Sequence, residues 1–160
     1  MRLLADDPRV IFIGQNVAYP GNVVFDSLEG VPMQQRLELP VMEETQMGMS
    51  IGLSLMGYVP VSIYPRMDFL LLGMNQLVNH LDKIATMSNG GYRPKVIIRT
   101  KVGSKVPLDA GLQHTQDYTE ALQLMLTTVR VVRLTDPSQA ISVYQEALVA
   151  DVSTLVVEVW

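Results

Sequence analysis

Apolar residues fall along this chain in short β-branched runs, separated by longer stretches where they recur every three or four positions. The first run, RVIFIG at 9–14, does not alternate with polar positions and is stopped by Gly14, the form of a strand buried on both faces. VPVSI at 59–63, KVIIRT at 95–100, VRVVRL at 129–134 and STLVVEV at 153–159 repeat that form, and residues 36–39 offer a weaker sixth strand. Helical periods lie between them at 44–56, 70–87 and 118–126. A further helix opens at Asp136-Pro137, where Asp suits an N-cap and Pro the first helical position. Strands alternating with helices specify an α/β fold: a three-layer sandwich with a mostly parallel sheet of about six strands, covered by helices on both faces through right-handed crossovers. Ligands of such sheets sit beyond the carboxyl ends of the strands. The loops at 14–33, 39–44, 64–69 and 101–116 are therefore the places to look for chemistry.

With 160 residues the chain is one domain's worth, enough to bury roughly 70% of the surface it exposes when unfolded. No internal repeat, low-complexity tract or linker divides it. The net charge of −4 and the lack of a basic run exclude nucleic acid as a ligand, because phosphate neutralisation needs clustered Lys and Arg. No apolar stretch reaches the roughly 18 residues of a membrane span, and Asp6-Asp7-Pro8 is incompatible with a secretory leader. The expectation is a soluble cytoplasmic protein. The absence of cysteine removes disulfides, thiolate metal sites and cysteine nucleophiles, and agrees with a reducing compartment. Ten methionines in a chain that is 48% apolar point to adaptable contact surfaces, and so to a partner.

Neither GxGxxG nor a P-loop occurs, and SNGGYRP at 88–94 follows a helix, where it reads as a helix stop. The two histidines and the carboxylates show no metal-ligand spacing, so no metal site is expected in this chain. His80, mid-helix beside Asn79 and Asp82, reads as a surface or interface residue, whereas His114 in LQHTQ ends the long loop and is a catalytic candidate. The doublet Glu43-Glu44 opens the helix that carries Met47, Ile51 and Leu55 on one face. Acids in a first turn complement the helix dipole by about 0.3–1 kcal/mol and need no further role. The sharper reading turns one of them back into the strand-end crevice to exchange a proton with a ligand.

RVIFIGQNVAYPGNVVF, LPVMEETQMGMSIGLSLMGYVPV, DFLLLGMNQLVNHLDKI, PKVIIRT and LQHTQ together resemble the pyrimidine-binding domain of thiamine-diphosphate enzymes. The nearest branch is the beta subunit of 2-oxo-acid dehydrogenase decarboxylating components; transketolase is more distant. The most specific part is Pro40-Val41-Met42-Glu43 followed by Gly48 and Gly52, similar to the family's Pro-Ile-Ser-Glu run. In that family this glutamate hydrogen-bonds a ring nitrogen of the cofactor's aminopyrimidine and favours the tautomer that deprotonates the thiazolium carbon. The resemblance therefore implies a catalytic and cofactor-binding role for Glu43 and leaves Glu44 as the first-turn acid. Phe69 matches the aromatic that packs on the pyrimidine, with Gln76, Asn79 and Lys83 following on the same helix. His114 matches a histidine near the thiazolium and the substrate.

The chain also departs from the pattern. Gln15-Asn16 stand where an acidic pair is common, Gln15 being carried as a cofactor-binding position; Arg66 replaces an aromatic; and LMLTTVRV around Met125 lacks the family's second histidine motif. The Gly-Asp-Gly motif that holds the diphosphate and magnesium is absent. What is implied is a single pyrimidine-binding domain at 1–160, with no diphosphate-binding domain and no C-terminal domain. It would serve a 2-oxo-acid decarboxylase or a ketose transferase only with an alpha-type chain that holds the diphosphate and Mg2+. Assembly as a homodimer or heterotetramer is expected through the helices 44–56 and 70–87. The competing expectation is a non-catalytic interaction module that kept the fold, and a flavodoxin-like small-ligand domain is weaker because no strand-end loop shows flavin or phosphate chemistry.

Overall fold

The computed structural model describes all 160 residues. Six strands form a single sheet: β1 (Val10–Gly14), β2 (Arg36–Glu38), β3 (Val59–Tyr64), β4 (Ile97–Lys101), β5 (Arg130–Leu134) and β6 (Thr154–Glu158). The order is β2-β1-β3-β4-β6-β5, and every neighbouring pair is parallel. Each of the five long apolar runs becomes a strand, and the weak sixth becomes the edge strand β2, paired only with β1. Parallel pairing needs a crossover after each strand, and the helical segments supply it.

Alternate residues of the central strands feed two separate cores, as a period of two requires. On one face Phe12, Val61, Ile97 and Val156 pack with Leu4, Leu28, Tyr144 and Ala147. On the other, Tyr64, Ile98, Leu155 and Val157 pack with Met47, Leu70, Leu77, Leu81 and Leu122. The first face is covered by the amino-terminal turn and α6 (Ala140–Val149), the second by α2 (Glu43–Leu55) and α5 (Thr119–Met125). This is the three-layer α/β sandwich expected from the hydrophobic pattern. Asp136 caps the turn before α6 by accepting a hydrogen bond from the Ser138 amide at 2.9 Å, with Pro137 in the first turn.

The continuous helix expected at 70–87 is broken. Between β3 and β4 the chain runs through α3 (Met67–Leu70), a 3-10 turn (Leu71–Gly73), a wide-turn π segment (Asn75–Leu81) and α4 (Ile84–Met87). Two tertiary demands accompany the break. A side chain on Gly73 would lie 3.2 Å from the Glu43 carbonyl, so glycine lets this segment close on the start of α2. Asp82 turns inward and accepts hydrogen bonds from the amides of Thr127, Thr128 and Val129 at 2.9, 2.7 and 3.0 Å. It thereby pins the turn that leads into β5. The loop at 14–33 contains one short helix, α1 (Val23–Asp26), and is held by Arg36, whose guanidinium donates to the carbonyls of Val17, Leu28 and Val31 and lies over the Phe25 ring. No helix is long and apolar enough to cross a membrane.

Candidate functional site

The strand order reverses direction between β1 and β3, and open parallel sheets bind ligands at such a switch point. A cleft of about 360 Å³ opens there, over the carboxyl ends of β1, β3, β4 and β6. Asn16 and Asn22 of the first loop form one wall; Tyr64, Arg66 and Phe69 follow β3; Thr100 and Lys101 end β4; and His114 closes the far side.

Local structure explains how these side chains arrive. Gly14 ends β1 at φ +152°, and a Cβ there would stand 2.5 Å from the Ile63 carbonyl and 3.2 Å from Gln46 Nε2, so only glycine lets β1 turn this tightly. Asn16 follows in a left-handed conformation at φ 66°, which Asn tolerates. The Glu38 carboxylate at the end of β2 accepts from the amides of Asn16 at 2.7 Å and Ala18 at 2.8 Å, fixing the loop against the sheet. On the far side, Gly103 lies against the carbonyl of His114 so closely that no side chain would fit, which draws the long loop back over the cleft.

Phe69 and His114 meet edge to face, with ring centroids 5.5 Å apart and planes at 86°. Nδ1 of His114 and Oγ1 of Thr100, both in residues that line the cleft, are buried and make no hydrogen bond within the chain.

Beneath the cleft lies a buried charged pair. Arg99 donates through Nε and Nη2 to the two carboxylate oxygens of Glu158 at 2.9 and 3.1 Å, Tyr144 donates its hydroxyl to the same carboxylate at 2.8 Å, and Arg99 Nη1 reaches Ser27 at 2.7 Å. Burial is the largest influence and would depress the Arg99 guanidinium, but the Glu158 charge and the hydrogen-bonded partners Glu158 and Tyr144 together outweigh it and hold Arg99 above its ordinary value. Burial, reinforced by the Glu158 charge, pushes the Tyr144 phenol well up. The floor is thus a fixed charged network with every strong partner taken.

Glu43 does not line the cleft. It stands half-buried at the first position of α2, at the same edge of the sheet, and its carboxylate makes no hydrogen bond within the chain. Its backbone carbonyl accepts from the Tyr64 hydroxyl at 3.3 Å, so Tyr64 bridges Glu43 to the cleft. Burial pushes the Tyr64 phenol far up, keeping it a neutral donor. Gln46, one turn along α2, is fully buried and donates to the Ile63 carbonyl at 2.9 Å and the Ser62 hydroxyl at 3.1 Å, which locks α2 onto β3. Glu44 points elsewhere: its Oε1 accepts from Asn75 at 3.3 Å and Gln76 at 3.4 Å, tying α2 to the π segment.

The fold brings Phe69 and His114 together and sets Glu43 beside them across Tyr64. Gln15 is half-buried in the turn after β1 and outside the lining, where its neighbour Asn16 stands instead. Arg66 lines the cleft, while Met125 is exposed at the end of α5 and His80 is exposed on the π segment. Motif reading passes over Arg99, Glu158 and Lys101. A signal for the pair was present: KVIIRT and STLVVEV carry Arg99 and Glu158 among the apolar residues of runs read as buried on both faces, and opposite charges in two buried strands have to find one another.

Comparison with known proteins agrees with this geometry. The model of the transketolase pyrimidine-binding domain matches residues 1–158. A pyruvate dehydrogenase E1 component subunit beta from Leifsonia xyli subsp. xyli is 29% identical over 152 residues, covering 92% of this chain and 44% of that protein. A 3-methyl-2-oxobutanoate dehydrogenase subunit beta from Mycobacterium tuberculosis is 28% identical over 152 residues, covering 91% of this chain and 42% of that protein. The chain thus spans less than half the length of these relatives. Among solved structures, a split-gene transketolase described as an inactive beta4 tetramer superposes with a TM-score of 0.73 at 16% identity over 96% of this chain and 47% of its own. A transketolase from Campylobacter jejuni subsp. jejuni gives 0.73 at 12% identity, over 98% of this chain and 23% of its own. At such identities the structural likeness speaks for the fold alone, but the family model covers nearly every residue: the chain belongs to the transketolase pyrimidine-binding domain family, and among its relatives in sequence are the beta subunits of 2-oxo-acid dehydrogenases.

Proposed function

We propose that this chain supplies the pyrimidine-binding half of a thiamine-diphosphate-dependent enzyme that acts on a 2-oxo acid or a ketose, in company with a chain that holds the diphosphate and its Mg2+. The observation that carries the reading is Glu43: a half-buried carboxylate with no partner in its own chain, at the strand-end position where the family's Pro-x-x-Glu run places its glutamate. The residues present fit the ring end of the cofactor. Glu43 offers an acceptor for a ring nitrogen, Phe69 an aromatic surface, and the unpartnered His114 Nδ1 a polar contact. When bound, the cofactor supplies a carbon nucleophile and an electron sink for cleaving the bond next to a carbonyl.

The roles of the protein's own groups follow from their placement. Glu43 would share a proton with a ring nitrogen of the bound cofactor, and it stands at the start of a helix whose position is fixed by Gln46 against β3. Tyr64, a neutral hydroxyl bound to the Glu43 carbonyl, fixes the backbone that carries that carboxylate. Phe69 orients the ring and excludes water from it, and His114, held edge-on by Phe69, meets the substrate. Glu44, Asn75 and Gln76 lie on the surface through which the partner would close the site.

A second reading, a non-catalytic interaction module, draws on one observation: Glu43 and Gln15 lie outside the lining of the cleft that holds Phe69 and His114. Isothermal titration separates the two. Under the catalytic reading thiamine diphosphate with Mg2+ binds the mixture of this chain with a Gly-Asp-Gly-bearing companion chain and leaves the isolated chain essentially unbound. Micromolar binding by the isolated monomer would contradict the half-site, and no binding by the mixture would favour the module.

A further inference from the structure

The chain has no cysteine, so methionine thioethers are its only sulfur groups, and a peroxide converts an accessible thioether to the sulfoxide. They divide sharply by exposure. Met47 and Met67 are sealed in the core at 0%, whereas Met42, Met49 and Met56 are 46%, 37% and 79% exposed. Met42 is the N-cap of α2 and Met56 its C-cap, with Met49 midway. Steps of seven residues nearly superpose around a helix axis, so the three form one stripe with about 10 Å between neighbours. The opposite face, with Gln46, Met47, Ser50 and Ile51, is buried on the sheet. No charged residue occurs from Thr45 to Pro65, and a side chain on the exposed Gly52 would meet nothing within 4 Å. A helix apolar on both sides calls for cover on both.

What covers the stripe follows from where it begins. Met42 immediately precedes Glu43, whose carboxylate has no partner in its own chain, and it stands where the family's Pro-Ile-Ser-Glu run has serine. A companion chain that closes over Glu43 meets Met42 first and continues along α2. We propose that Met42, Met49 and Met56 are a redox modification site, at which hydrogen peroxide uncouples this chain from the companion that completes the cofactor site. The step is a two-electron oxygen transfer. The thioether sulfur attacks one peroxide oxygen, the O–O bond breaks as the S–O bond forms, and the other oxygen leaves with both hydrogens as water. Sulfur is oxidised to the sulfoxide and peroxide is reduced. The product replaces an apolar contact with a polar group that is costly to bury without a partner, so the stripe loses its fit. Oxidation acts on the unassembled chain, because assembly covers the stripe, and enzymatic reduction of the sulfoxide resets it. The inference rests on the companion-chain reading above and adds a means of control to it.

The test treats the isolated chain with hydrogen peroxide, reads each methionine by peptide mass mapping, and follows assembly with a Gly-Asp-Gly-bearing companion chain by sedimentation. Met42, Met49 and Met56 are expected to gain one oxygen each while Met47 and Met67 stay reduced and circular dichroism stays native. The dissociation constant for the companion should rise about tenfold or more, the scale of burying an unpartnered polar group, and methionine sulfoxide reductase should restore it. The combined Met42→Leu, Met49→Leu and Met56→Leu variant should assemble equally well before and after peroxide. Met33→Leu with Met125→Leu, which removes exposed thioethers elsewhere, should leave the chain as sensitive as the parent. Should the triple variant fail to fold, Met49→Leu and Met56→Leu singly serve in its place, each expected to recover part of the loss. Undiminished assembly of the oxidised parent, equal sensitivity of the leucine variants, or unfolding of the oxidised chain overturns the proposal. Loss of self-association alone would assign the stripe to a second copy and overturn the companion as its occupant. An untreated mixture that does not assemble removes the companion-chain reading and this proposal with it, whereas assembly that survives oxidation removes this proposal alone.

Discussion

Replacing Arg99 with Met takes away the guanidinium beneath the cleft and leaves the Glu158 carboxylate buried with only the Tyr144 hydroxyl to serve it. Two hydrogen bonds to the carboxylate, at 2.9 and 3.1 Å, and one to Ser27, at 2.7 Å, are lost with it. The side chains of Arg99 and Glu158 are only 16% and 5% exposed, so water cannot easily take over, and an uncompensated buried charge of this kind costs about 3–5 kcal/mol. That is a large part of the roughly 5–15 kcal/mol that holds a domain folded. Glu158→Met should cost about as much for the mirror reason. The double variant removes both charges and leaves only Tyr144 and Ser27 short of a partner, so its cost should fall to about 1–2 kcal/mol. Urea unfolding followed by circular dichroism measures all four proteins, and the cycle should return a coupling of several kcal/mol, with similar denaturant slopes. Additive costs, or an Arg99→Met variant within about 1 kcal/mol of the parent, would refute the claim that this pair holds the cleft floor.

Other expectations follow from single contacts. Asp82 is fully buried; burial pushes its carboxyl up, but hydrogen bonds from Lys83, Thr128, Val129 and Thr127 outweigh this and hold it far below the ordinary value of 3.8. Its stabilisation is therefore fully present above that ordinary value and is lost as pH falls below it toward the folded value. Asp82→Asn should cost about 2–3 kcal/mol near neutral pH and flatten the acid limb of the stability curve; an unchanged acid limb would count against it. Gly14→Ala places a Cβ 2.5 Å from the Ile63 carbonyl and should cost about 2 kcal/mol or more in chemical denaturation, whereas a neutral effect would show that β1 can relax.

The sheet was legible because buried parallel strands write themselves as unbroken β-branched runs, and five of them stand clear in the sequence. The edge strand Arg36–Glu38 is weak in pattern because one neighbour and a half-buried surface ask less of its side chains. The helix at 70–87 misled for the opposite reason. Its apolar period is real, with Leu77 and Leu81 both in the core, but the break is set by Gly73 closing on the Glu43 carbonyl and by Asp82 reaching a distant turn. Those demands belong to tertiary contacts and leave no mark on periodicity. At the site, Phe69 on α3 and His114 in the long loop follow different strands, so no local pattern could predict that they touch; the family resemblance pointed to each singly, and the topology joins them. Asn16, with its positive φ, lines the cleft and Gln15 does not, and Glu38 looks like an ordinary strand acid until its two amide partners are seen.

The central claim is that Glu43 of this chain handles the proton of a cofactor that a partner chain helps to enclose. The direct measurement is thiamine-diphosphate-dependent turnover of the assembled complex carrying Glu43→Gln, with assembly followed by sedimentation. Turnover is expected to fall by about 100-fold or more while the complex stays intact, the scale of losing a positioned proton-transfer group. Turnover at the parental rate in an intact complex would contradict it.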